Sequence, residues 1–164
     1  MREEIVQHES RRADIKKETM KTSQEGIDLI KKFEDFSTEA YICPAGVLTI
    51  GYGHTKGVKY GDTITKKEAE DLLAQDVQEY AEAVEKYINV PVTQNQFDAL
   101  VSLCYNIGKT GFFNSPVRRL VNENPAQLDR IETAFKKHNR SRGQVLPGLT
   151  RRRQEEFQLY KKDE

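Results

Sequence analysis

The spacing of apolar residues predicts a chain that is mainly helical. Ser23 suits a helix N-cap, and Ile27, Ile30 and Phe33 follow on one face of a helix that begins near residue 24. Between residues 41 and 60, short β-prone stretches alternate with glycines, which is typical of strands joined by tight turns. One small antiparallel sheet is therefore predicted near the start of the chain.

The helical pattern returns after this sheet. Thr65 with Glu68, and Thr93 with Gln96, form capping boxes that predict two helices, the first of roughly 20 residues. Further helices are predicted to begin after Ser115, to include Leu128, Ile131 and Phe135, and to run from Thr150 to Lys161. This order predicts an α+β fold in which a cleft separates a small sheet lobe from a larger helical lobe.

The pattern also divides the chain. Residues 1–22 are charged and carry no strong apolar stripe, which predicts an N-terminal extension. Residues 23–164 are predicted to form a single domain, with the sheet lobe at about 35–62 and the helical lobe at about 65–164.

Composition excludes several classes of protein. The 164 residues include 26 basic and 26 acidic side chains, a balance that argues against a nucleic-acid binder. No apolar run approaches the roughly 18 residues that span a bilayer, and the N-terminus lacks the apolar core of a secretory signal, so we expect synthesis in a cytosol and no stable membrane insertion. Two cysteines and three histidines without metal-ligand spacing predict no metal and no other cofactor.

Glu34 is the first residue that breaks the apolar pattern. It lies seven residues after Ile27 and four after Ile30, on the helical face that those residues bury. Burial disfavours the charged form of a carboxyl group, so a glutamic acid there can keep a proton to donate near neutral pH. The same spacing also fits a structural glutamate that pairs with an arginine at the edge of the core.

Further along the chain, Cys43, Thr49 and His54 are also candidates for a chemical role. Cys43 is a nucleophile or base if its thiol ionises, the Thr49 hydroxyl can orient a water, and His54 stands in the sequence Gly-Tyr-Gly-His. Taken singly, each also fits a structural role: a small filler, a strand residue and a histidine paired with a carboxylate.

Together, these residues resemble the active-site signature of phage-type lysozymes of glycoside hydrolase family 24. In that family a glutamate is followed nine residues later by Asp or Cys and six later by Thr, as at Glu34, Cys43 and Thr49, before a Gly-Tyr-Gly-His stretch. The segments Gln96–Gly108 and Leu146–Arg153 continue the resemblance in the same order, so that it covers about residues 23–162. It implies a lysozyme-like fold.

The resemblance also implies a role for each matched residue. Glu34 would be the general acid that protonates the glycosidic oxygen. Cys43, where many relatives carry Asp, would be the base, water-activating or nucleophilic group, and Thr49 would position the attacking water. A thiol leaves open whether the anomeric configuration is inverted or retained, because the rule that predicts it uses the separation of two carboxylates.

Other positions are implied to bind or to stabilise. His54 and Asp76 would form a structural pair across the lobes, and one arginine of Arg151–Arg153 would pair with Glu34. The residues implied to line the sugar-binding cleft are Tyr52, Gly53, Thr55, Tyr105, Asn114 and Ser115. Cys104 is the other cysteine with which Cys43 could form a disulfide, but its place on an apolar helical stripe favours a buried structural thiol.

The implied function is that of an endolysin. It would hydrolyse the β-1,4 bond between N-acetylmuramic acid and N-acetylglucosamine in peptidoglycan, as a monomer made in the host cytoplasm that reaches the wall through a separate membrane-permeabilising lysis protein. The alternatives are a lytic transglycosylase, a chitinase-like hydrolase and a non-catalytic wall-binding phage module. The presence of both Cys43 and Thr49 favours hydrolysis, because a transglycosylase needs no water-activating group.

Overall fold

The computed structural model describes residues 20–163, so most of the predicted extension at residues 1–22 lies outside the described residues. Seven helices and four short strands occur in the described part. They are α1 (Gln24–Phe33), β1 (Ser37–Ile42), β2 (Leu48–Gly51), α2 (Lys66–Tyr87), α3 (Gln94–Ile107), α4 (Lys109–Phe113), α5 (Pro116–Glu123), α6 (Leu128–Lys136), β3 (Arg140–Ser141), β4 (Gln144–Val145) and α7 (Pro147–Lys161). The predicted α+β class is confirmed.

The helix starts that capping residues indicate are confirmed, whereas the last helix, α7, begins at Pro147 and not at Thr150. Thr65 and Thr93 open α2 and α3 with capping boxes in which both side-chain hydrogen bonds are made. The Ser23 and Ser115 hydroxyls accept a hydrogen bond from the backbone amide of the third residue of α1 and of α5, respectively. These caps satisfy amides that have no partner within the helix, which explains why a local motif fixes where each helix begins.

The β1–β2 hairpin forms the predicted antiparallel sheet. Tyr41 pairs with Thr49 in its register, and a bulge interrupts the pairing closer to the start of β1. After β2, Gly51 and Gly53 have φ values of 64° and 88°, a left-handed conformation that glycine adopts without steric cost. The chain can therefore turn sharply at the end of the sheet, towards α2.

Two elements differ from the sequence-based expectation. The prediction of a single sheet is wrong, because β3 and β4 form a second two-stranded hairpin. All four of its residues are exposed and polar except Val145, so no alternation of apolar and polar residues marks it. The five-residue helix α4 was also not predicted, since it is too short to show a helical period.

Helix α3 is the centre of the core. Every residue from Phe97 to Cys104 is buried, and the helix packs against α1, α2 and α7. A helix buried on all sides must be apolar or internally paired. Its polar residues Asp98 and Ser102 are paired, with Ser23 of the α1 cap and Glu156 of α7 respectively.

The contact between α1 and α3 depends on a glycine. A Cβ atom at Gly26 would lie 2.8 Å from Asp98 Cγ and from Thr22 Cγ2. We expect Gly26→Ala to lower the free energy of unfolding by about 1–3 kcal/mol, because overpacking outweighs the better helix propensity of alanine. Urea denaturation measures this, with Gly148→Ala as the control, since nothing lies within 4 Å of a Cβ there. Equal stability of the two variants would contradict the prediction.

Candidate active site

Glu34 immediately follows α1. Its backbone amide donates to the Ile30 carbonyl at 3.0 Å, so it continues the last turn of the helix, as its spacing from the buried residues predicts. Its side chain is 22% exposed, and Oε1 accepts a hydrogen bond from Nη1 of Arg152 at 2.8 Å. The carboxylate is thus half-buried, oriented by one arginine and accessible from one side.

Arg152 is the partner that the sequence alone did not choose among Arg151–Arg153. Arg151 is exposed, whereas Arg152 and Arg153 are buried in α7. Arg152 also donates through Nη2 to the Ser102 carbonyl at 3.2 Å and through Nε to Glu156 Oε2 at 3.2 Å. Two acceptors, the Ser102 carbonyl and Glu156, therefore fix the guanidinium that holds Glu34.

Glu156 is a charged residue that the sequence analysis missed. It is fully buried, and its Oε2 accepts a hydrogen bond from the Ser102 hydroxyl at 2.6 Å. Arg153 Nε lies 2.8 Å from its Oε1 as an ion pair without hydrogen-bond geometry, and Arg153 Nη2 donates a hydrogen bond to its Oε2 at 3.3 Å. Burial raises the pKa of Glu156 against the opposing charges of Arg153 and Arg152, and burial lowers the pKa of Arg153 to about 10. Spacings of three and four residues on α7 are the signal that points to this pairing.

Glu34 lies on the wall of a polar cleft of about 210 Å³. The residues that line it come from the end of α1, from the chain after β2, from α2 and from α3: Glu34, Gly53, His54, Thr55, Lys56, Asp76, Glu79, Tyr80, Tyr105 and Asn106. Hydroxyl, amide and charged groups of this kind suit a ligand rich in hydroxyl and amide groups, such as a glycan. Four of these lining residues were not predicted from the sequence: Lys56, Glu79, Tyr80 and Asn106.

Three of the six residues predicted to bind substrate line this cleft and three do not. Gly53, Thr55 and Tyr105 line it. The Tyr52 side chain is buried, with its ring 4.8 Å from that of Phe36, and Ser115 is buried as the cap of α5, while Asn114 is exposed. The cleft does not include Tyr52, Asn114 or Ser115, and their predicted contact with sugar stays a prediction.

Gly53 lies beside Glu34 in the turn after β2. A Cβ atom at Gly53 would lie 3.4 Å from Glu34 Oε2 and 3.6 Å from the Tyr105 hydroxyl oxygen. That hydroxyl donates to the Tyr52 carbonyl at 3.0 Å, and burial raises the Tyr105 pKa, so the phenol stays neutral. The turn after β2 therefore runs beside Glu34 and Tyr105, and the φ of 88° at Gly53 is what favours glycine there.

His54 and Asp76 lie together at the same cleft. His54 Nδ1 is 2.8 Å from Asp76 Oδ2, and its Nε2 is 2.9 Å from the Lys56 carbonyl oxygen. His54 follows β2 and Asp76 lies on α2, so the contact joins the sheet region to the helical part of the fold.

Cys43 and Thr49 lie in the β1–β2 hairpin and do not line the cleft around Glu34. The Cys43 pKa is lowered, chiefly by the backbone amide of Val47, then by the Thr49 hydroxyl and the Ala45 amide. The buried Thr49 hydroxyl has one proton, which it donates either to the Val47 carbonyl, at 2.9 Å, or to the thiolate. The hairpin thus holds a partly exposed thiol in surroundings that favour its ionised form.

Cys104 has the opposite environment. It is buried in α3, and burial raises its pKa to about 12. Both cysteines of the described chain are free thiols.

Between residues 20 and 163, no helix is long and apolar enough to cross a membrane. In the same range, no three His, Cys, Asp or Glu side chains are grouped so that they could hold a metal ion.

The small sheet, the central helix and the polar cleft between them define a lysozyme-like protein. Residues 31–156 match the family model described as Phage lysozyme, and the chain belongs to that family. Membership of this family implies glycoside hydrolase activity.

Individual relatives agree with this assignment. The chain is 40% identical over 144 residues to an endolysin of Acyrthosiphon pisum secondary endosymbiont phage 1, covering 86% of this chain and 98% of that one. It is 44% identical over 144 residues to the endolysin of Bacillus phage PZA, again over 86% of this chain, but spans only 55% of that protein's length. The solved muramidase domain of SpmX from Asticaccaulis excentricus superposes with a TM-score of 0.81 at 40% identity, covering 87% and 99% of the two chains.

Proposed function

We propose that this protein is an endolysin with muramidase activity, which hydrolyses the β-1,4 bond between N-acetylmuramic acid and N-acetylglucosamine in peptidoglycan. The observation that carries the proposal is the half-buried Glu34, held by Arg152 at 2.8 Å on the wall of a polar cleft. The family assignment supports hydrolysis of a glycan, and the name of the SpmX domain supports the muramidase bond.

Glu34 acts as the general acid in this proposal. It gives its proton to the glycosidic oxygen as the bond to the anomeric carbon breaks, and the transition state gains oxocarbenium character. Arg152 fixes one carboxyl oxygen, leaving the other, Oε2, directed towards Gly53 and the cleft. A positioned acid of this kind accelerates proton transfer by about 10²–10⁴-fold.

Cys43 and Thr49 act on the attacking water in the proposed reaction. The Cys43 thiolate accepts a proton from water while the water oxygen bonds to the anomeric carbon, and the Thr49 hydroxyl orients that water. The lowered pKa of Cys43 supports this role. A route in which the thiolate itself attacks the anomeric carbon, with water then displacing the sulfur, uses the same two residues.

The substrate and the route to it follow from the same proposal. Glycan strands of peptidoglycan would lie along the cleft against Gly53, Thr55 and Tyr105, with residues 23–164 acting as one monomeric catalytic unit. The enzyme would be made in the host cytoplasm and reach the periplasm and wall at lysis, through a separate protein that permeabilises the membrane.

Mass spectrometry of digested cell wall tests the reaction. We expect glycan fragments with a reducing N-acetylmuramic acid end, since water is added across the bond. A lytic transglycosylase would give an anhydro sugar lighter by one water, and a chitinase-like enzyme would degrade chitin oligomers faster than wall. Either result, or binding without any cleavage, would overturn the proposal.

A further inference from the structure

A line of alternating charges runs inward from Glu34. Arg152 Nη1 contacts Glu34 at 2.8 Å, and Arg152 Nε contacts Glu156 at 3.2 Å. Glu156 in turn pairs with Arg153 at 2.8 Å. Glu156 and Arg153 are fully buried, and Arg152 is 3% exposed. Glu34 is therefore the only member of the line with substantial access to the cleft.

The contacts of Glu156 also determine how Arg152 is oriented. A guanidinium is planar, so a bond at Nε and a bond at Nη2 fix the direction of Nη1. Glu156 accepts the Nε bond, and the Ser102 carbonyl accepts the Nη2 bond at 3.2 Å. Ser102 also donates its hydroxyl to Glu156, which ties α3 and α7 together at this point.

We propose that Glu156 is a positioning residue for the general acid Glu34: it holds Arg152 in place and offsets the charge of the two arginines behind Glu34. This inference rests on the proposed role of Glu34. It extends that role to a residue that lies beyond Arg152 and does not contact the substrate.

The sign of the effect follows from the charges. Arg152 and Arg153 face Glu34 with two positive charges, and ionised Glu156 offsets one of them. Without that offset, the ionised form of Glu34 would be favoured more strongly and the proton would be lost at lower pH. A neutral Glu156 would also leave Arg153 buried without a counter-ion, which is why its ionised form is the one to expect in the folded protein.

The other titratable groups near this line are two tyrosines, one histidine and the charged or titratable residues that line the cleft with Glu34: Tyr105, Tyr41, His138, His54, Lys56, Asp76 and Glu79. Tyr105 of α3 and Tyr41 of β1 interact electrostatically with Glu34, and burial raises the pKa of both phenols, so neither is charged at neutral pH. His138, after α6, faces Arg153, and burial and that arginine lower its pKa. In the described chain, His138 makes no hydrogen bond to Glu34 or Arg152. The cleft residues are the same in the wild type and in every variant compared below.

The test compares Glu156→Gln with Glu155→Gln. We expect the midpoint of the Glu34 carboxyl titration, followed by ¹³C NMR, to move to lower pH by about one unit or more in Glu156→Gln. The limb of the pH–activity profile that coincides with that midpoint should move with it. Glu155, which pairs with Lys32 on the surface, is the matched control and should leave both unchanged.

A variant of the partner residue gives an independent prediction of opposite sign. Arg153→Gln removes one positive charge and leaves Glu156, so the Glu34 midpoint should move to higher pH. The double variant should lie close to the wild type, because a positive and a negative charge are removed together. Thermal melts identify the folded variants, and sucrose, which is excluded from the protein surface, favours the native state of a weakened one.

Two results would overturn the inference. If Glu156→Gln and Arg153→Gln fold but leave the Glu34 midpoint where it is in the wild type, Glu156 is a structural residue only, and the proposed function stands. If the midpoint moves but no activity limb follows it, Glu34 is not the acid, and Glu156 has no catalytic role to support.

Discussion

Glu34→Gln is expected to reduce the rate of wall lysis by about 10³-fold. Glutamine keeps the shape of the side chain and can still accept the hydrogen bond from Arg152, but it has no proton to give to the glycosidic oxygen. The fold should survive, because the amide leaves Arg152 with its other acceptors, Glu156 and the Ser102 carbonyl. A turbidity assay on cells stripped of their outer membrane measures the rate, and a thermal melt reports the fold.

The neighbouring acidic residue provides the control for this experiment. Asp35 is exposed, so Asp35→Asn changes the charge by the same amount without removing the proposed acid. We expect Asp35→Asn to lyse cells at nearly the wild-type rate. Comparable rates for Glu34→Gln and the wild type would show that the catalytic acid lies elsewhere.

Cys43→Ala is expected to lose about 10²-fold or more of the activity, and Cys43→Asp to retain a substantial part of it. Alanine can neither accept a proton from water nor attack the anomeric carbon. Aspartate supplies an ionised oxygen at the same point of the hairpin, where the Val47 and Ala45 amides that lower the Cys43 pKa are available to a negative charge. Unchanged activity in Cys43→Ala would exclude a catalytic role for the thiol.

Alkylation by iodoacetamide separates this role from a packing role. Because the Cys43 pKa is lowered, its thiolate should react near neutral pH, with a rate that rises with pH until the thiol is fully ionised. Cys104 should stay unmodified in the folded protein, since it is buried and its pKa is about 12. The reagent should inactivate the wild type and spare Cys43→Asp, and inactivation of Cys43→Asp would point to another target.

Local motifs predicted most of the secondary structure correctly. The capping residues of α1, α2, α3 and α5 lie where the sequence placed them, because each cap bonds to amides only two or three residues away. Pro147 begins α7 three residues earlier than Thr150, since a proline at the first helical position lacks only an amide that has no partner there. The β3–β4 hairpin escaped prediction because strands of two exposed residues leave no periodic signal.

Local motifs did not predict the charged cluster of Arg152, Arg153 and Glu156 behind Glu34. From the sequence, any of the three arginines of α7 could pair with Glu34. In the structure, α7 packs against α3 so that Arg152 contacts Glu34, while Arg153 is buried and Arg151 is exposed. The partners of Glu156 lie on two helices 50 residues apart, so no local pattern contains all of them. The composition of the cleft is likewise decided by which residues of α2 and α3 face the turn after β2.

The sequence by itself determined the family of this protein, the order of its main elements and the residues proposed for its chemistry, because motifs and helical periods are properties of neighbouring residues. Only the tertiary structure decided which arginine holds Glu34, that a buried carboxylate stands behind it, and that Gly53, Thr55 and Tyr105 line the cleft whereas Tyr52, Asn114 and Ser115 do not. The physical reason is that burial and ion pairing depend on distances between segments far apart in the chain, which are set when the helices pack.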